Sequence, residues 1–285
     1  MAKILKEKIL NMEQIAPDIY KMSLESEFVT QNALPGQFVN IKCCEGIDIM
    51  LRRPISICSI DKKNKCYDIV FQIKGTGTEL LSKKKQGEYI DLIGPLGNSF
   101  DTDIKFRKAA VIGGGIGVFP LLFLLKESKA IVKHTYLGFR NKDSIVLYGK
   151  FKKNSTSIDI STDDGSAYNK GIVTDLLERD MKCSIPDVIY ACGPKPMIKA
   201  VAAIANRYGV PCQISMEERM GCGIGACLVC ACKTKLKGKS QGDIPRRLGS
   251  SEGEVCPLTS DDTWKYSHVC KDGPIFWSSE LVFDE

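Results

Sequence analysis

Through its first hundred residues the chain alternates apolar and polar positions in short runs. Gln37-Phe-Val-Asn-Ile-Lys-Cys43, Cys66-Tyr-Asp-Ile-Val-Phe-Gln-Ile-Lys74 and Glu88-Tyr-Ile-Asp-Leu-Ile93 are the clearest. Pro35-Gly36 and Gly94-Pro95-Leu96-Gly97 punctuate them. Many short strands with Gly/Pro turns and little helix predict a barrel or sandwich. After about residue 103 the period changes. Ala109-Ala-Val-Ile112 runs into glycines, then a helix is predicted over 118–126 and a strand over 131–137. Strands over 157–161 and 187–191 and helices over 172–179 and 197–208 follow. Strand–helix alternation predicts a parallel sheet with crossovers. From Glu217 onward Cys, Gly, Lys and Ser dominate and the period fades, as in a small module held by metal more than by a core. The chain therefore reads as an α+β multidomain protein: an antiparallel β-barrel (1–102), a parallel-sheet α/β domain (103–216) and a small C-terminal metal module (217–285).

Composition narrows the function classes. Of 285 residues, 44% are hydrophobic and 26% charged, as in an ordinary globular chain. The charge, 40 − 34 = +6, comes from lysines spread along the whole length. A nucleic-acid binder concentrates its basic residues in a stripe, so no nucleic-acid partner is expected. The uncharged run 109–125 is broken by Gly113, Gly114, Gly115, Gly117 and Pro120, and is shorter than a bilayer needs. With no secretory signal at the start, a soluble cytoplasmic protein with no membrane partner is expected. Thirteen cysteines in such a chain point away from a disulfide framework. Cys58, Cys66, Cys183 and Cys212 stand singly, as small core residues do.

The cysteine group is different. Cys222-Gly-Ile-Gly-Ala-Cys227-Leu-Val-Cys230, with Cys270 further on, has the C-x4-C-x2-C…C spacing of plant-type 2Fe–2S proteins. The interleaved glycines let a loop turn tightly and aim its N–H groups at sulfur. Structural zinc prefers two C-x2-C pairs, and one is present. For the fourth ligand Cys232 is too close to Cys230. Cys256 and Cys270 both remain, and the Gly-Pro turn after Cys270 favours the latter.

Three weaker signals accompany it. Gly113-Gly-Gly-Ile-Gly117, between strand and helix, allows a pyrophosphate to approach a helix N-terminus, although its spacing is not the dinucleotide fingerprint. Ala191-Cys192-Gly193-Pro194 ends a second strand, where ligands of open α/β sheets collect. Arg53-Pro54-Ile55-Ser56 and Gly75-Thr-Gly77-Thr78 offer a cation, hydroxyls and amides to a second phosphate-bearing ligand. The only histidines are His134 and His268, so His-based acid/base chemistry is not expected, and His134 reads as packed in a strand.

In this order these motifs resemble ferredoxin-reductase-like flavoproteins. The tail, Met220-Gly-Cys-Gly-Ile-Gly-Ala-Cys-Leu-Val-Cys230 and Val269-Cys-Lys-Asp-Gly-Pro-Ile-Phe276, resembles the electron-transfer subunits of NAD-dependent (type 1B) dihydroorotate dehydrogenase. The resemblance implies FAD on the barrel, a nicotinamide dinucleotide on the α/β domain and a 2Fe–2S cluster on Cys222, Cys227, Cys230 and Cys270. It implies that Arg53, Pro54, Ile55 and Ser56 contact the flavin, with Arg53 at the phosphates and Ser56 near the flavin N5. Val70, Phe71 and Gln72 would line the flavin with a strand edge, and Gly77 and Thr78 would hold the pyrophosphate. Gly113, Gly114, Gly115 and Gly117 would receive the nucleotide, with Cys192, Gly193 and Pro194 where the nicotinamide stacks. Ser56 and Cys192 are thus the candidate catalytic residues. The stretch between Cys230 and Cys270 is longer than the family pattern, which leaves the Lys-rich segment 233–265 without a role.

A chain with these groups converts two-electron into one-electron chemistry. It is incomplete alone, because a TIM barrel takes about 250 residues. The resemblance supplies that barrel as an FMN-containing catalytic subunit, in a two-plus-two heterotetramer serving pyrimidine biosynthesis. The alternative is the small subunit of an NADH-dependent ferredoxin:NADP+ oxidoreductase or sulfide dehydrogenase. There the first cluster ligand is an Asp, where this chain has Cys222. Arg140 and Lys142 suit a 2′-phosphate and Asp143 a ribose hydroxyl, so the choice of NAD rests on the resemblance. A zinc-stabilised scaffold without redox activity is the reading from another class.

Overall fold

The computed structural model describes residues 2–44, 46, 49–102, 106–236 and 264–283. Six antiparallel strands close a barrel in the order β1-β2-β5-β4-β3-β6. They are β1 (Lys3–Ala16), β2 (Ile19–Glu25), β3 (Phe38–Ile41), β4 (Arg53–Asp61), β5 (Cys66–Gln72) and β6 (Tyr89–Leu96). Alternate residues such as Met22, Val39, Ile57, Ile69 and Leu92 fill its interior and are fully buried, as the period of two requires. Two short helices interrupt the strands: α1 (Glu27–Asn32), capped by Ser26 Oγ on the Val29 N–H, and α2 (Thr76–Ser82).

The second half forms a seven-stranded sheet ordered β10-β9-β8-β7-β11-β12-β15. Its parallel members are β7 (Lys108–Gly114), β8 (Val132–Phe139), β9 (Ser157–Thr162), β10 (Asn169–Lys170), β11 (Val188–Cys192) and β12 (Cys212–Ser215). Helices α3 (Val118–Glu127), α4 (Tyr148–Asn154), α5 (Val173–Met181) and α6 (Lys195–Arg207) connect them. From β7 the chain winds outward through β8, β9 and β10, then returns to lay β11 and β12 on the other side. The order therefore reverses between β7 and β11. In open α/β sheets that is where ligands bind.

The uncharged run beginning at Ala109 has a structural reason. Every residue of α3 from Val118 to Leu125 is buried. Phe119 and Leu122 share a core with Val111 and Leu137 of the sheet and with Cys58 and Val70 of the barrel, while Phe123 joins the barrel's own core. A helix covered on both sides is apolar all round. Among the described residues no helix is long and apolar enough to cross a membrane.

The cysteine loop leaves β12 and ends in an antiparallel pair, β13 (Ala231–Lys235) with β14 (Trp264–His268). After Cys270 the chain does not stay with this pair. Strand β15 (Ile275–Trp277) adds antiparallel to β12 and completes the sheet. Asn98 of the barrel fastens the turn between them. Its Nδ2 donates to the carbonyls of Asp272 and Ile275, and its Oδ1 accepts from the Ile275 N–H at 2.8 Å. Loop and sheet are thus bolted to the barrel.

Candidate functional site

The barrel opens at one point. Strands β4 and β5 pair only from Ile57↔Ile69 onward to Asp61↔Cys66. Above that, Arg53–Ser56 pair with β3 alone and Val70–Gln72 with β2 alone. Two facing strand edges are left with backbone groups to satisfy, a slot suited to a flat ligand with polar edges. Arg53 stands at its end. Its guanidinium donates to the Leu51 carbonyl at 2.8 Å and lies against buried Gly77, where a Cβ would sit 2.8 Å from Nε. Residues 24 positions apart in sequence thus put a cation beside the first turn of α2, whose amides are donors without helical partners.

Some predicted ligands contribute differently from expectation. The Thr78 hydroxyl accepts from the Lys74 N–H at 2.9 Å and donates to the Gly75 carbonyl at 3.0 Å. Its proton is spent on tying the turn, so amides rather than this hydroxyl are the donors there. Phe71 faces the barrel core and Val70 the α3 core, leaving only their backbone to the slot. Gln72, Pro54, Ile55 and Ser56 are half-buried along it.

The second constellation lies at the reversal point. Cys192 pairs with Gly113 across β11 and β7. A Cβ on Gly117 would lie 2.6 Å from both the Cys192 carbonyl oxygen and the Gly193 Cα. One on Gly193 would lie 3.1 Å from the Gly114 nitrogen. The two glycine motifs are therefore one structure, two turns packed backbone to backbone at the head of α3. Pro194 opens α6 and packs against Gly114. A Cβ on Gly115 would meet nothing within 4 Å beyond its chain neighbours. Cys192 is buried, and burial holds its thiol well above the usual range, with the Ser215 hydroxyl opposing. It is a neutral thiol, not a nucleophile.

The third is the cysteine loop. Six backbone N–H groups point at sulfur. Those of Ile224, Ala226 and Cys227 meet Cys222 Sγ at 3.2–3.4 Å. That of Cys222 meets Cys227 Sγ at 3.3 Å, that of Gly225 meets Cys270 Sγ at 3.1 Å, and that of Cys270 meets Cys230 Sγ at 3.4 Å. Gly223 and Gly225 make this possible with φ of 74° and 83°, in the left-handed region. Burial works against the Cys222 thiolate, but N–H groups of Ile224, Cys227 and Ala226 outweigh it and bring the thiol down to about 6. Cys270 is pushed up to about 12 by burial and by the Cys230 thiol 3.2 Å away. Four soft ligands ringed by amide donors fit an iron–sulfur cluster. Cys232 is buried on β13 with its thiol pushed up to about 11 by burial, and Cys256 lies outside the described residues.

Residues 217–243 match the family model of the iron–sulfur cluster binding domain of dihydroorotate dehydrogenase B. The chain is 39% identical over 259 residues to the dihydroorotate dehydrogenase B (NAD(+)) electron transfer subunit of Desulforamulus reducens, covering 90% of this chain and 97% of that one. The chain belongs to the family of dihydroorotate dehydrogenase B (NAD(+)) electron transfer subunits. The same subunit of Caldanaerobacter subterraneus subsp. tengcongensis is 36% identical, with 98% of each chain covered. A chain of the NADH-dependent reduced ferredoxin-NADP oxidoreductase, solved in work on flavin-based electron bifurcation, superposes with a TM-score of 0.76 at 29% identity. It covers 97% of this chain and 89% of its own. The architecture of the alternative reading is thus shared, while the electron transfer subunits stand closer in sequence.

Against this family background, two residues at the site have no counterpart among the sequence motifs. Asn40 of β3 donates from Nδ2 to the Cys222 carbonyl at 2.9 Å. Glu217, leaving β12, is open to water yet ringed by protein, which raises its carboxyl above the usual range while Lys74 of the barrel opposes. Glu217 follows the end of β12 that pairs with Cys192 of β11, an adjacency the sequence does not show. Nothing local marks Asn40. His134, expected to be packed, is half-buried toward the opposite end of the sheet. Its Nε2 meets Asp159 Oδ2 at 2.7 Å and its ring stacks on Tyr136, whose hydroxyl donates to Asp180 at 3.0 Å. Arg179 bonds the same Asp180, so this is an internally paired network.

Proposed function

We propose that the chain relays electrons from an FMN-containing dihydroorotate dehydrogenase subunit to NAD+, holding a 2Fe–2S cluster on Cys222, Cys227, Cys230 and Cys270 and FAD in the slot between β4 and β5. Bound FAD exchanges a hydride with nicotinamide and single electrons with an iron–sulfur cluster, the chemistry a converter needs.

The observation that carries this reading is the ring of N–H groups on the four thiols. Donors to thiolate sulfur stabilise the negative charge of a cluster and set its potential. Cys222 with Cys227 would hold one iron and Cys230 with Cys270 the other, following the two groupings of sulfur and amide contacts. Arg53 and the first turn of α2 would bind the FAD phosphates, with Gly77 and Thr78 supplying amides. Ser56 and the edge of Val70, Phe71 and Gln72 would orient the flavin ring. Gly113, Gly114, Gly115 and Gly117 would receive the dinucleotide, and the turn at Cys192, Gly193 and Pro194 would back the nicotinamide. In this assignment Cys192 is a packing surface and exchanges no proton.

The three functional units are taken as 1–102, 103–216 and 217–285. The partner assembly is taken as two copies of each subunit, and the compartment as the cytoplasm. Ile224, Leu228 and Val229 project from the cysteine loop with more than half their surface exposed. Such a patch beside a redox group suits a partner's surface.

Anaerobic purification with iron and flavin assays, then titration with NADH, tests the reading. About two irons per chain and a flavin that bleaches with NADH are expected. A colourless protein carrying zinc would overturn it.

A further inference from the structure

The cysteine loop follows β12 in the chain, yet its first cysteine is held by the barrel. Asn40 and Cys222 are 182 positions apart, and the Asn40 amide donates to the Cys222 carbonyl at 2.9 Å. Strand β3 is paired on both sides, with Asn40 opposite Pro54 of β4 and opposite Ile93 of β6. Val39 and Ile41 point into the barrel core, so Phe38 and Asn40 occupy its outer face. An outer-face position on a small barrel would ordinarily meet water. Here Phe38 belongs to the core that includes Cys230, Val269 and Cys270, and Asn40 is 1% exposed.

The fit is close. A Cβ on Gly223 would lie 2.4 Å from Asn40 Nδ2, so the loop has a gap where the amide sits. The other half of the amide goes unused, since Asn40 Oδ1 accepts no hydrogen bond among the described residues. A buried acceptor without a partner is costly, and an apolar residue of the same size would avoid that cost only by leaving the Cys222 carbonyl without its donor. The Asn40 main chain is held from the other side: the Arg52 guanidinium donates to the Asn40 carbonyl at 3.5 Å and pairs with Asp91 at 2.7 Å. The next residue, Arg53, begins the edge of the β4–β5 slot. One rigid strand pair thus carries a contact to Cys222 and the rim of that slot.

We propose that Asn40 is a positioning residue for electron transfer, clamping the first cluster cysteine to the barrel strands that bind the flavin. The inference rests on the FAD and 2Fe–2S assignment above. A side chain that orients a metal ligand from the outer shell typically changes metal-site behaviour by roughly ten- to hundredfold when removed.

The test compares the parent chain with Asn40→Leu, which keeps the volume and removes the donor, and Asn40→Asp, which keeps the shape and turns the donor into an acceptor. Three readouts are taken: iron per chain, the EPR line shape of the reduced cluster, and the separate rates of flavin and cluster reduction after mixing with NADH. Hydrogen exchange of the 222–227 amides is followed alongside. Expected are parental iron and flavin content, an unchanged flavin phase, a cluster phase slowed at least tenfold, a shifted EPR spectrum and faster exchange in the loop. Unchanged cluster kinetics and EPR in both variants would overturn the proposal. Iron lost from both would also overturn it, because Asn40 would then be needed for the loop to hold a cluster at all. A parent without iron or flavin would instead refute the cofactor assignment, so the two failures are distinguishable.

Discussion

The Arg53 guanidinium rests on Gly77, with room for a hydrogen and none for a methyl group: a Cβ would stand 2.8 Å from Nε and 3.0 Å from Cζ. Gly77→Ala is therefore expected to displace the guanidinium from the first turn of α2. The fold should survive, because the atoms that must move belong to one long side chain. Losing one charge-assisted contact costs about 1.5–3 kcal/mol, so FAD should bind roughly ten- to hundredfold more weakly. Arg53→Ala should do the same. Flavin retained per chain after gel filtration measures it, and full retention in both variants would remove Arg53 from the phosphate site.

Gly117 presents the opposite case, since its neighbours are backbone. The Cys192 carbonyl and Gly193 cannot step aside without bending the end of β11. Gly117→Ala is expected to cost about 1–3 kcal/mol of stability by overpacking and to raise the KM for NADH, with FAD binding unchanged. Urea unfolding and NADH titration of the flavin report the two effects separately.

Among the described residues, Cys270 is the fourth-ligand candidate whose sulfur lies 3.2 Å from that of Cys230. Cys270→Ser should abolish the cluster's EPR signal and lower the iron content. Cys256→Ser and Cys232→Ser should leave both at the parental level. Iron lost from Cys256→Ser and kept in Cys270→Ser would reverse the assignment.

These contacts show what a sequence can and cannot disclose. Cys222, Cys227 and Cys230 are legible because a cluster loop takes three ligands from one short segment, so spacing alone carries the geometry. The runs ending at Gly113 and Cys192 are legible as strands, and their adjacency follows once the sheet order is known. Strand β1 is harder to read, because Lys, Glu, Leu and Met are not strand formers and much of its length is solvent-facing. Asn40 is illegible for a different reason. Val39-Asn40-Ile41 reads as an ordinary alternating strand with its polar residue outward, and only the tertiary fold brings a loop from 182 residues away to cover it. The same holds for β15, three residues whose place at the sheet edge is decided by β12.

Glu7 gives a pH dependence. It is buried in β1, where burial raises its pKa while hydroxyls of Ser26 and Tyr67 hold the rise back; Tyr67 donates to it at 2.6 Å. For an acid whose folded pKa exceeds its unfolded one, the folded state binds more protons in the window between them. Its contribution to stability is full below the unfolded value and is lost as pH rises through the folded value. Glu7→Gln has no such proton to lose. Urea midpoints should therefore fall for the parent relative to Glu7→Gln as pH is raised from 4 upward. Parallel pH profiles would show that Glu7 ionises in the barrel without cost.

The exposed loop side chains yield the last expectation. Leu228 and Val229 are 58% and 61% exposed, in the loop between Cys227 and Cys230. Neither residue joins a core cluster among the described residues, so a charge at Leu228 should leave the loop intact. In an interface core the same charge would be desolvated without a partner. Leu228→Glu is therefore expected to keep its iron, its flavin and its rate of flavin reduction by NADH. It should bind the dihydroorotate dehydrogenase catalytic subunit with a loss of about 2 kcal/mol, near thirtyfold in Kd. Titration of the two purified subunits measures the affinity directly. An unchanged Kd with Leu228→Glu and Val229→Glu combined would place the partner on another face, and the cluster would then have to reach it through protein that this loop does not provide.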